Sequence, residues 1–446
     1  MGAVELFLLT VAAIFLVGVI GEIIFEKTNV PDVIWLILVG IIVGPVLGWV
    51  ERDLLNQVAP FFGALTLVIV LFDGGSRLNL EELIKVAPRS LSLAIVGFIL
   101  SILTVALLAQ GAYGLGLLPK SWTFLHGLML GAIVGGASSV VIMPAMQKAG
   151  LPSSLANIVN LESALTDVLC VVVTGALIDI LLSGAMDVGH AASTLAKSFG
   201  IGLIAGAFAG FLWLLLHRMW RSSPHEYPLT LGALMVLYVL IDRTGGSAAL
   251  GILTTAVIIG NANSFSRWFK MEGEANLNPQ LQNFHGVITF MVKSFFFTFI
   301  GLMLYPPWSL LLLGFILAIG LLLARIPAVW LATTNSGMGK TERSLITVLM
   351  PRGMAAGVLA ILPFQKGIAD SEFLPVVVFS CVVTTLLLFA GGFPVFKNRL
   401  IDLVRVPLLS QTDSEITDAQ SGVNELSKNE AGASASDSNI ELGREI

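Results

Sequence analysis

The chain has 446 residues, of which 56% are hydrophobic and only 12% are charged, and its formal net charge is −5. Soluble domains carry roughly 25% charged residues, so this composition excludes a large soluble enzyme and a nucleic-acid-binding protein. It predicts a protein that lies largely within a lipid bilayer.

Apolar runs recur along most of the chain, and about 13 of them approach the ~20 residues that a helix needs to cross a bilayer. We therefore predict an all-α polytopic membrane protein. The short eighth run leaves a total of 12 open. The predicted spans cover, in chain order, residues 4–25, 31–49, 57–73, 91–112, 123–147, 153–182, 194–216, 228–241, 248–261, 283–305, 308–333, 343–363 and 373–393.

Lys and Arg are concentrated in the loops that follow odd-numbered spans, as at Arg77, Lys148 and Arg267. Because cytoplasmic loops carry the excess of basic residues, we expect the N-terminus outside and the C-terminus in the cytoplasm. The membrane is expected to be the inner or plasma membrane of the cell.

The composition changes after Arg405. Residues 1–405 are predicted to form one transmembrane domain, and residues 406–446 a disordered acidic cytoplasmic tail. Positions 411–446 carry eight acidic and two basic residues and no aromatic residue, too little apolar surface to form a core. Cys170 and Cys381 lie within apolar spans, so no disulfide framework or cysteine metal site is expected.

The sixth span contains two carboxylates, Glu162 and Asp167, within NLESALTDVL. A charge at the bilayer centre costs roughly 2.5 to 3.5 kcal/mol, so such residues indicate an ion pathway unless they form structural ion pairs. At ~100° per residue the two side chains diverge by roughly 140° and cannot hold one ligand together. One is expected to face a cavity and titrate, and the other to pair with a fixed base such as Arg325. Ser163 shares a face with Asp167.

Other ionisable residues in the spans are less decisive. Lys293 and Arg352 are the remaining buried bases, and Asp73 ends the third span. Asp179 lies near the end of the sixth span, where a structural role is favoured because charged side chains there reach the membrane interface.

Two spans contain breaker residues at mid-membrane depth. GAIVGGASSVVIMP, residues 131–144, includes the hydroxyls of Ser138 and Ser139, and LMPRGMAAGVLAILP, residues 349–363, includes Pro351 and Arg352. Paired interruptions of this kind indicate a transporter built from inverted repeats, whose broken helices expose carbonyls to an ion. The alternative is close packing through small residues.

Five fragments in order resemble the monovalent cation–proton antiporter superfamily, nearest its sodium–proton exchanger branch. The resemblance implies inverted repeats with two crossed interrupted helices, a core domain and a dimerisation domain, and a homodimer. The fragments are WLILVGIIVGPVLG (35–48), LFDGGSRLNLEEL (71–83), ESALTD (162–167), FFFTFIGL (295–302) and PRGMAAG (351–357).

The resemblance also implies residue roles. Asp167 matches the aspartate that alternately binds a proton and a cation, and Ser163 a hydroxyl ligand. Thr166 stands where the electroneutral branch has Asn and the electrogenic branch a second Asp. Glu162 and Arg325 match a core ion pair.

Further positions follow from the same likeness. Asp73 falls near an acid that contacts the cation in some relatives, and Arg352 can offset helix-end dipoles. Lys293 is similar to a residue of the electrogenic branch. Ser138 and Ser139 stand where the family usually has Asp-Pro, which resembles the potassium-efflux branch.

These residues predict exchange of Na⁺, or alternatively K⁺, for H⁺ at Asp167, with electroneutral one-for-one stoichiometry. The expected partners are monovalent cations, protons and the bilayer, with no cofactor and no metal beyond the transported ion. A cation channel and an organic-solute symporter remain alternatives. An intramembrane enzyme is disfavoured because the sequence has neither HExxH nor GxSxG.

Overall fold

The structure is a computed structural model that describes residues 3–28, 30–50, 52–76, 80–183, 188–217, 226–268, 279–334 and 337–399. Contacts divide the chain into Met1–Phe393 and Pro394–Ile446. The predicted tail at 406–446 lies outside the described residues. Within the described ranges every regular element is a helix and no strand occurs, as the sequence predicted.

The helices of the first unit follow one another through short connections. They are α1 (Ala3–Thr28), α2 (Asp32–Ile41) with a π-helical turn (Ile42–Val46), α3 (Arg52–Ser76), α4 (Leu80–Gly114), α5 (Phe124–Ile133), α6 (Ser139–Lys148), α7 (Ser153–Ser183), α8 (Val188–His217), α9 (Glu226–Arg243), α10 (Ala248–Gly260), α11 (Ala262–Trp268), α12 (Pro279–Leu302), α13 (Trp308–Ala332), α14 (Lys340–Val348), α15 (Met354–Leu359) and α16 (Leu362–Gln365).

The last described helix, α17, covers Leu374–Arg399. By length and composition, five helices of the described ranges are able to cross a bilayer, in α4, α7, α8, α13 and α17. Shorter apolar helices occupy most of the other predicted spans. The total of about 13 crossings stays a prediction.

One predicted boundary is wrong. Residues 74–90 lie between two predicted spans and were expected to form a loop, but α4 begins at Leu80 and includes Lys85 and Arg89. Hydropathy marks where a helix meets lipid, whereas a charged segment such as LEELIKVAPRS contains good helix formers and extends the helix beyond that depth.

Glycines let α2 and α12 cross at close range. A Cβ at Gly40 would lie 2.1 Å from the Thr298 carbonyl oxygen, and one at Gly301 would lie 2.2 Å from that of Ile37. Small residues allow such backbone contact in membrane helices. Gly40 and Gly301 belong to two of the fragments that resemble the antiporter family. In this structure their role is to let the two helices pack closely.

Helix α7, which carries ESALTD, contacts many helices of the first unit. Its neighbours are α3, α4, α5, α6, α8, α10 and α15. Helices from distant parts of the sequence therefore meet at α7.

Candidate functional site

Two non-helical segments meet beside α7. The first, between α5 and α6, covers residues 134–138, and the second, between α14 and α15, covers residues 349–353. The Ser138 backbone N–H donates to the Pro351 carbonyl oxygen at 2.9 Å. Arg352 Nη1 donates to the Gly135 carbonyl oxygen at 2.9 Å. The prediction of two interrupted helices that cross is thus confirmed, although Pro144 lies inside α6 and not at the break.

The crossing leaves no room for side chains at two glycines. A Cβ at Gly353 would lie 2.1 Å from Ser138 Oγ, and one at Gly136 would lie 2.9 Å from Cys170 Sγ. The first contact joins the two breaks, and the second joins the first break to α7. Glycine is therefore required by close approach.

Hydroxyl groups of α7 hold the first break. Ser163 Oγ donates to the Ala137 carbonyl at 2.8 Å and accepts from the Ser139 N–H at 2.7 Å. Thr166 Oγ1 accepts from the Ala137 N–H at 3.3 Å and donates to the Ser163 carbonyl at 3.1 Å. Backbone groups freed by an interrupted membrane helix need such partners. Both hydroxyl protons are thereby committed to the scaffold.

A buried ion pair holds the second break. Arg325 Nη1 and Nη2 donate to the two carboxylate oxygens of Glu162 at 2.6 and 2.8 Å. The same guanidinium donates through Nε to the Ile346 carbonyl at 3.2 Å and through Nη2 to the Leu349 carbonyl at 3.0 Å. A positive charge is favourable there because these carbonyls end α14. The structure thus brings Glu162 and Arg325 together.

Arg352 lies at the crossing itself and is 1% exposed. Its backbone N–H donates to Thr385 Oγ1 at 3.0 Å, and its Nη1 contact with Gly135 places positive charge near the end of α5. No carboxylate forms an ion pair with Arg352 within the described ranges. Its charge acts instead on the Asp167 carboxylate.

Asp167 differs from Glu162 in its exposure and in its hydrogen-bond partners. Its side chain is partly exposed, and its carboxylate makes no hydrogen bond or ion pair with the part of the chain that the structure describes. The Ser138 and Ser139 hydroxyls likewise have no hydrogen-bond partner there. Ser139 is hydrogen-bonded to Ser163, which precedes Asp167 by one turn, about 6 Å along the helix.

Asp73 and Lys293 are the other expected site residues. Asp73 is buried on α3, where its charge acts on the Tyr227 phenol. Lys293 donates to Asp32 Oδ2 at 2.6 Å in a pair that is 13% and 14% exposed.

Sequence reasoning missed Asp32 and Thr385. Asp32 follows Pro31 at the start of an apolar span. A carboxylate at that position needs a partner, so the sequence could have predicted an ion pair for Asp32. Thr385 is one of many hydroxyl residues in apolar spans, and nothing local distinguishes it. Among the described residues, no group of three or more His, Cys, Asp or Glu side chains is arranged to hold a metal ion.

A family model described as "Sodium/hydrogen exchanger, transmembrane" matches residues 11–397. The chain belongs to the sodium/hydrogen exchanger transmembrane family. Members of this family are integral membrane transporters and not enzymes, in agreement with the sequence prediction.

Curated relatives of this exchanger-family chain differ in their named cation. The chain is 26% identical over 397 residues to "K(+)/H(+) antiporter NhaP" of Alkalimonas amylolytica, covering 86% of this chain and 65% of that protein. It is 26% identical over 330 residues to "K(+)/H(+) antiporter NhaP2" of Shewanella baltica, covering 72% and 54%. It thus spans less than two thirds of these relatives. "Probable Na(+)/H(+) antiporter 2" of Methanocaldococcus jannaschii is 22% identical, covering 83% of this chain and 88% of that protein.

The family fold is also found among solved structures. The sodium proton antiporter MjNhaP1 from Methanocaldococcus jannaschii at pH 8 superposes with a TM-score of 0.72 at 19% identity, covering 89% of this chain and 99% of that one. This similarity confirms the predicted all-α antiporter fold.

Proposed function

We propose that this chain is a secondary active transporter that exchanges a monovalent cation for H⁺ by competition at Asp167. The observation that carries the proposal is the contrast between two carboxylates on α7. Glu162 has both oxygens bound by Arg325, whereas Asp167 is partly exposed and has no hydrogen-bond or ion-pair partner among the described residues. Only the second can exchange its ligand without breaking the scaffold.

The mechanism follows from the charge of one side chain. A proton covalently held by a carboxylate oxygen removes the negative charge that attracts a cation, and a bound cation disfavours protonation. The two ligands therefore exclude each other. Thr166 adds no second charge, so the loaded site carries the same charge with either ligand, and exchange is electroneutral and one-for-one.

The cation ligands are proposed to be the Asp167 carboxylate with the hydroxyl oxygens of Ser138 and Ser139. Ser163 and Thr166 donate their hydroxyl protons to backbone carbonyls, and each hydroxyl oxygen keeps one lone pair that can bind an ion. Na⁺ is favoured by the branch resemblance. K⁺ is the alternative, because Ser138 and Ser139 replace a potential anionic ligand and two relatives are named as K⁺/H⁺ antiporters.

The wider setting is also proposed. The transporter would work as a homodimer in the inner or plasma membrane, with its N-terminus outside, its C-terminus in the cytoplasm and no cofactor. This orientation rests on the distribution of Lys and Arg.

One observation favours a second candidate, a symporter of an anionic solute. Arg352 Nε is buried without a hydrogen-bond partner in the described ranges, and a guanidinium can anchor a carboxylate. Against it, Nη1 of the same group is engaged with Gly135 and the side chain is 1% exposed.

The decisive experiment uses proteoliposomes with a preformed pH gradient. Pulses of Na⁺, K⁺ or Li⁺, but not choline, should collapse the gradient with the wild type. Asp167→Asn should fold and lose this flux, whereas Asp179→Asn, on the same helix, should keep it at saturating cation. Retained exchange in Asp167→Asn would move the site elsewhere. A cation current that needs no pH gradient would indicate a channel, and flux only with an organic anion would indicate the symporter.

A further inference from the structure

A cavity of about 320 Å³ lies between α3, α7, α9, α10 and the segment α15–α16. The exchange mechanism proposed above assigns no role to the residues that line it. Its lining residues include Gly63 of α3, Gly175 of α7 and Val358 of α15.

The cavity lies along the side of α7 that carries Asp167. Val171, Gly175 and Asp179 line it and follow Asp167 at intervals of four residues, so all four lie along one side of α7. Its nearest lining residue, Val171, is one turn beyond Asp167. The cavity therefore extends the side of α7 that carries Asp167.

The end of the cavity nearest Asp167 is apolar. Val171 packs against the cluster that contains Leu67, and Val172 packs against Leu250. Apolar packing of this kind excludes water, and it occupies the turn of α7 that follows Asp167. We call this cavity the vestibule; its lining begins one helical turn beyond Asp167.

Three charged side chains from three elements line the vestibule. Asp179 and Asp242 lie near the ends of α7 and α9, and Lys366 follows α16. All three are exposed, and none forms an ion pair within the described ranges. The Asp242 charge acts on the phenol of Tyr238, which also lines the cavity. Two negative charges thus face one positive charge, and low-dielectric walls focus their field.

We propose that this cavity is the entry vestibule for the transported cation on one face of the membrane, where Asp179 and Asp242 raise the local cation concentration and Lys366 lowers it. The inference deepens the proposed function and rests on it. It assigns these residues to the apparent affinity for the cation and not to the exchange step.

The size of the effect follows from Coulomb's law. A unit charge about 8 to 10 Å from a cation, in a medium between water and protein, changes the local concentration by roughly twofold to fivefold. Salt reduces the effect because the Debye length is ~10 Å at 0.1 M and ~3 Å at 1 M.

The first test measures the vestibule potential without transport. Gly175→Cys should be tolerated, because no atom lies within 4 Å of a Cβ there. Cationic and anionic membrane-impermeant methanethiosulfonates should both label the introduced thiol, the cationic one faster relative to a free thiol in solution. The native Cys170 and Cys381 are 1% and 0% exposed and should not react. Ala164→Cys, buried on the same helix, is the negative control.

Charge variants in the Gly175→Cys background then test the contribution of each charged residue to the vestibule potential. Asp179→Asn and Asp242→Asn should each lower the ratio of cationic to anionic labelling rates by at least about twofold at low salt. Lys366→Gln should raise it. Glu372→Gln, an exposed acid outside the lining, should leave it unchanged. An unlabelled thiol, or a ratio that none of the three changes moves, would overturn the inference.

The second test is the apparent KM for the cation presented to the vestibule side of oriented vesicles. Asp179→Asn and Asp242→Asn should raise it about twofold to fivefold at low salt and Lys366→Gln should lower it, with Vmax retained. If the three variants exchange normally with an unshifted KM, the vestibule role is rejected and the proposed function is kept. If the wild type shows no cation-dependent proton flux, the proposed function is rejected. The labelling test does not depend on transport, so its result holds in either case.

Discussion

Arg325 holds both carboxylate oxygens of Glu162, at 2.6 and 2.8 Å, from a position 163 residues further along the chain. The pair lies against the carbonyls that end α14, so it joins α7, α13 and the second break in one unit. Five residues after Glu162, Asp167 has no such partner in the described part of the chain. The scaffold and the exchange chemistry are thereby assigned to different carboxylates of one helix.

Glu162→Gln should unfold the protein more readily. Removing one partner of a buried pair leaves Arg325 charged and uncompensated, which costs about 3 to 5 kcal/mol. The measurement is thermal unfolding in detergent, compared with Asp32→Asn, which breaks the more exposed pair with Lys293 and should cost less.

A double variant separates charge from packing. Glu162→Leu with Arg325→Leu removes both charges and should recover part of the stability lost in Glu162→Gln, because no buried charge remains unpaired. A double variant less stable than Glu162→Gln would contradict this account.

Ser163→Ala should lower stability, whereas Ser139→Ala should weaken cation binding. Loss of the Ser163 hydroxyl leaves the Ser139 N–H and the Ala137 carbonyl without their partner, at about 1 to 3 kcal/mol of stability. The Ser139 hydroxyl has no partner in the described chain, so its removal should leave the melting temperature unchanged and raise the apparent KM for the cation. Equal melting temperatures with equal KM values would refute both assignments.

Gly353→Ala should separate the two breaks. The added Cβ would lie 2.1 Å from Ser138 Oγ, and relieving such an overlap costs about 1 to 3 kcal/mol. Both the melting temperature and the exchange rate should fall. Combining it with Ser138→Gly, which removes the obstructing hydroxyl, should restore the melting temperature. Gly175→Ala, with open space around the Cβ, is the matched control.

The apparent KM for the cation should depend on pH with a defined sign. If a proton and a cation compete for Asp167, lowering the pH raises proton occupancy, and KM should rise about tenfold per pH unit once the carboxyl is mostly protonated. At high pH, KM should reach a plateau. Initial rates across a cation and pH matrix test this, and a pH effect on Vmax alone would argue against competition.

Exchange by the wild type should not depend on membrane potential. Thr166 is uncharged, and its hydroxyl is bound within the first break. Thr166→Asp adds a second carboxylate and should make the rate depend on voltage if it titrates. Proteoliposomes clamped with valinomycin and K⁺ provide the measurement for Na⁺ exchange, and a voltage-dependent wild type would contradict one-for-one stoichiometry.

The amino-acid sequence alone determined the features that depend on local chemistry. Composition and apolar runs indicated a helical membrane protein, glycine and proline in the spans predicted both interruptions, and helix periodicity separated the directions of Glu162 and Asp167. These follow from residues within a few turns of one another. The family resemblance rests on such short fragments as well.

The family resemblance implied the Glu162–Arg325 pair, and only the tertiary structure decided the other pairings. Lys293 is bound by Asp32, 261 residues away, and the Ser163 and Thr166 hydroxyls are committed to the first break, while the Asp167 carboxylate makes no hydrogen bond or ion pair with the described residues. A helix sequence fixes the direction of a side chain but not the helix that it meets. Partner choice in a bilayer is set by close packing between distant helices, so the unpaired carboxylate and the vestibule beside it are visible only once the helices are assembled.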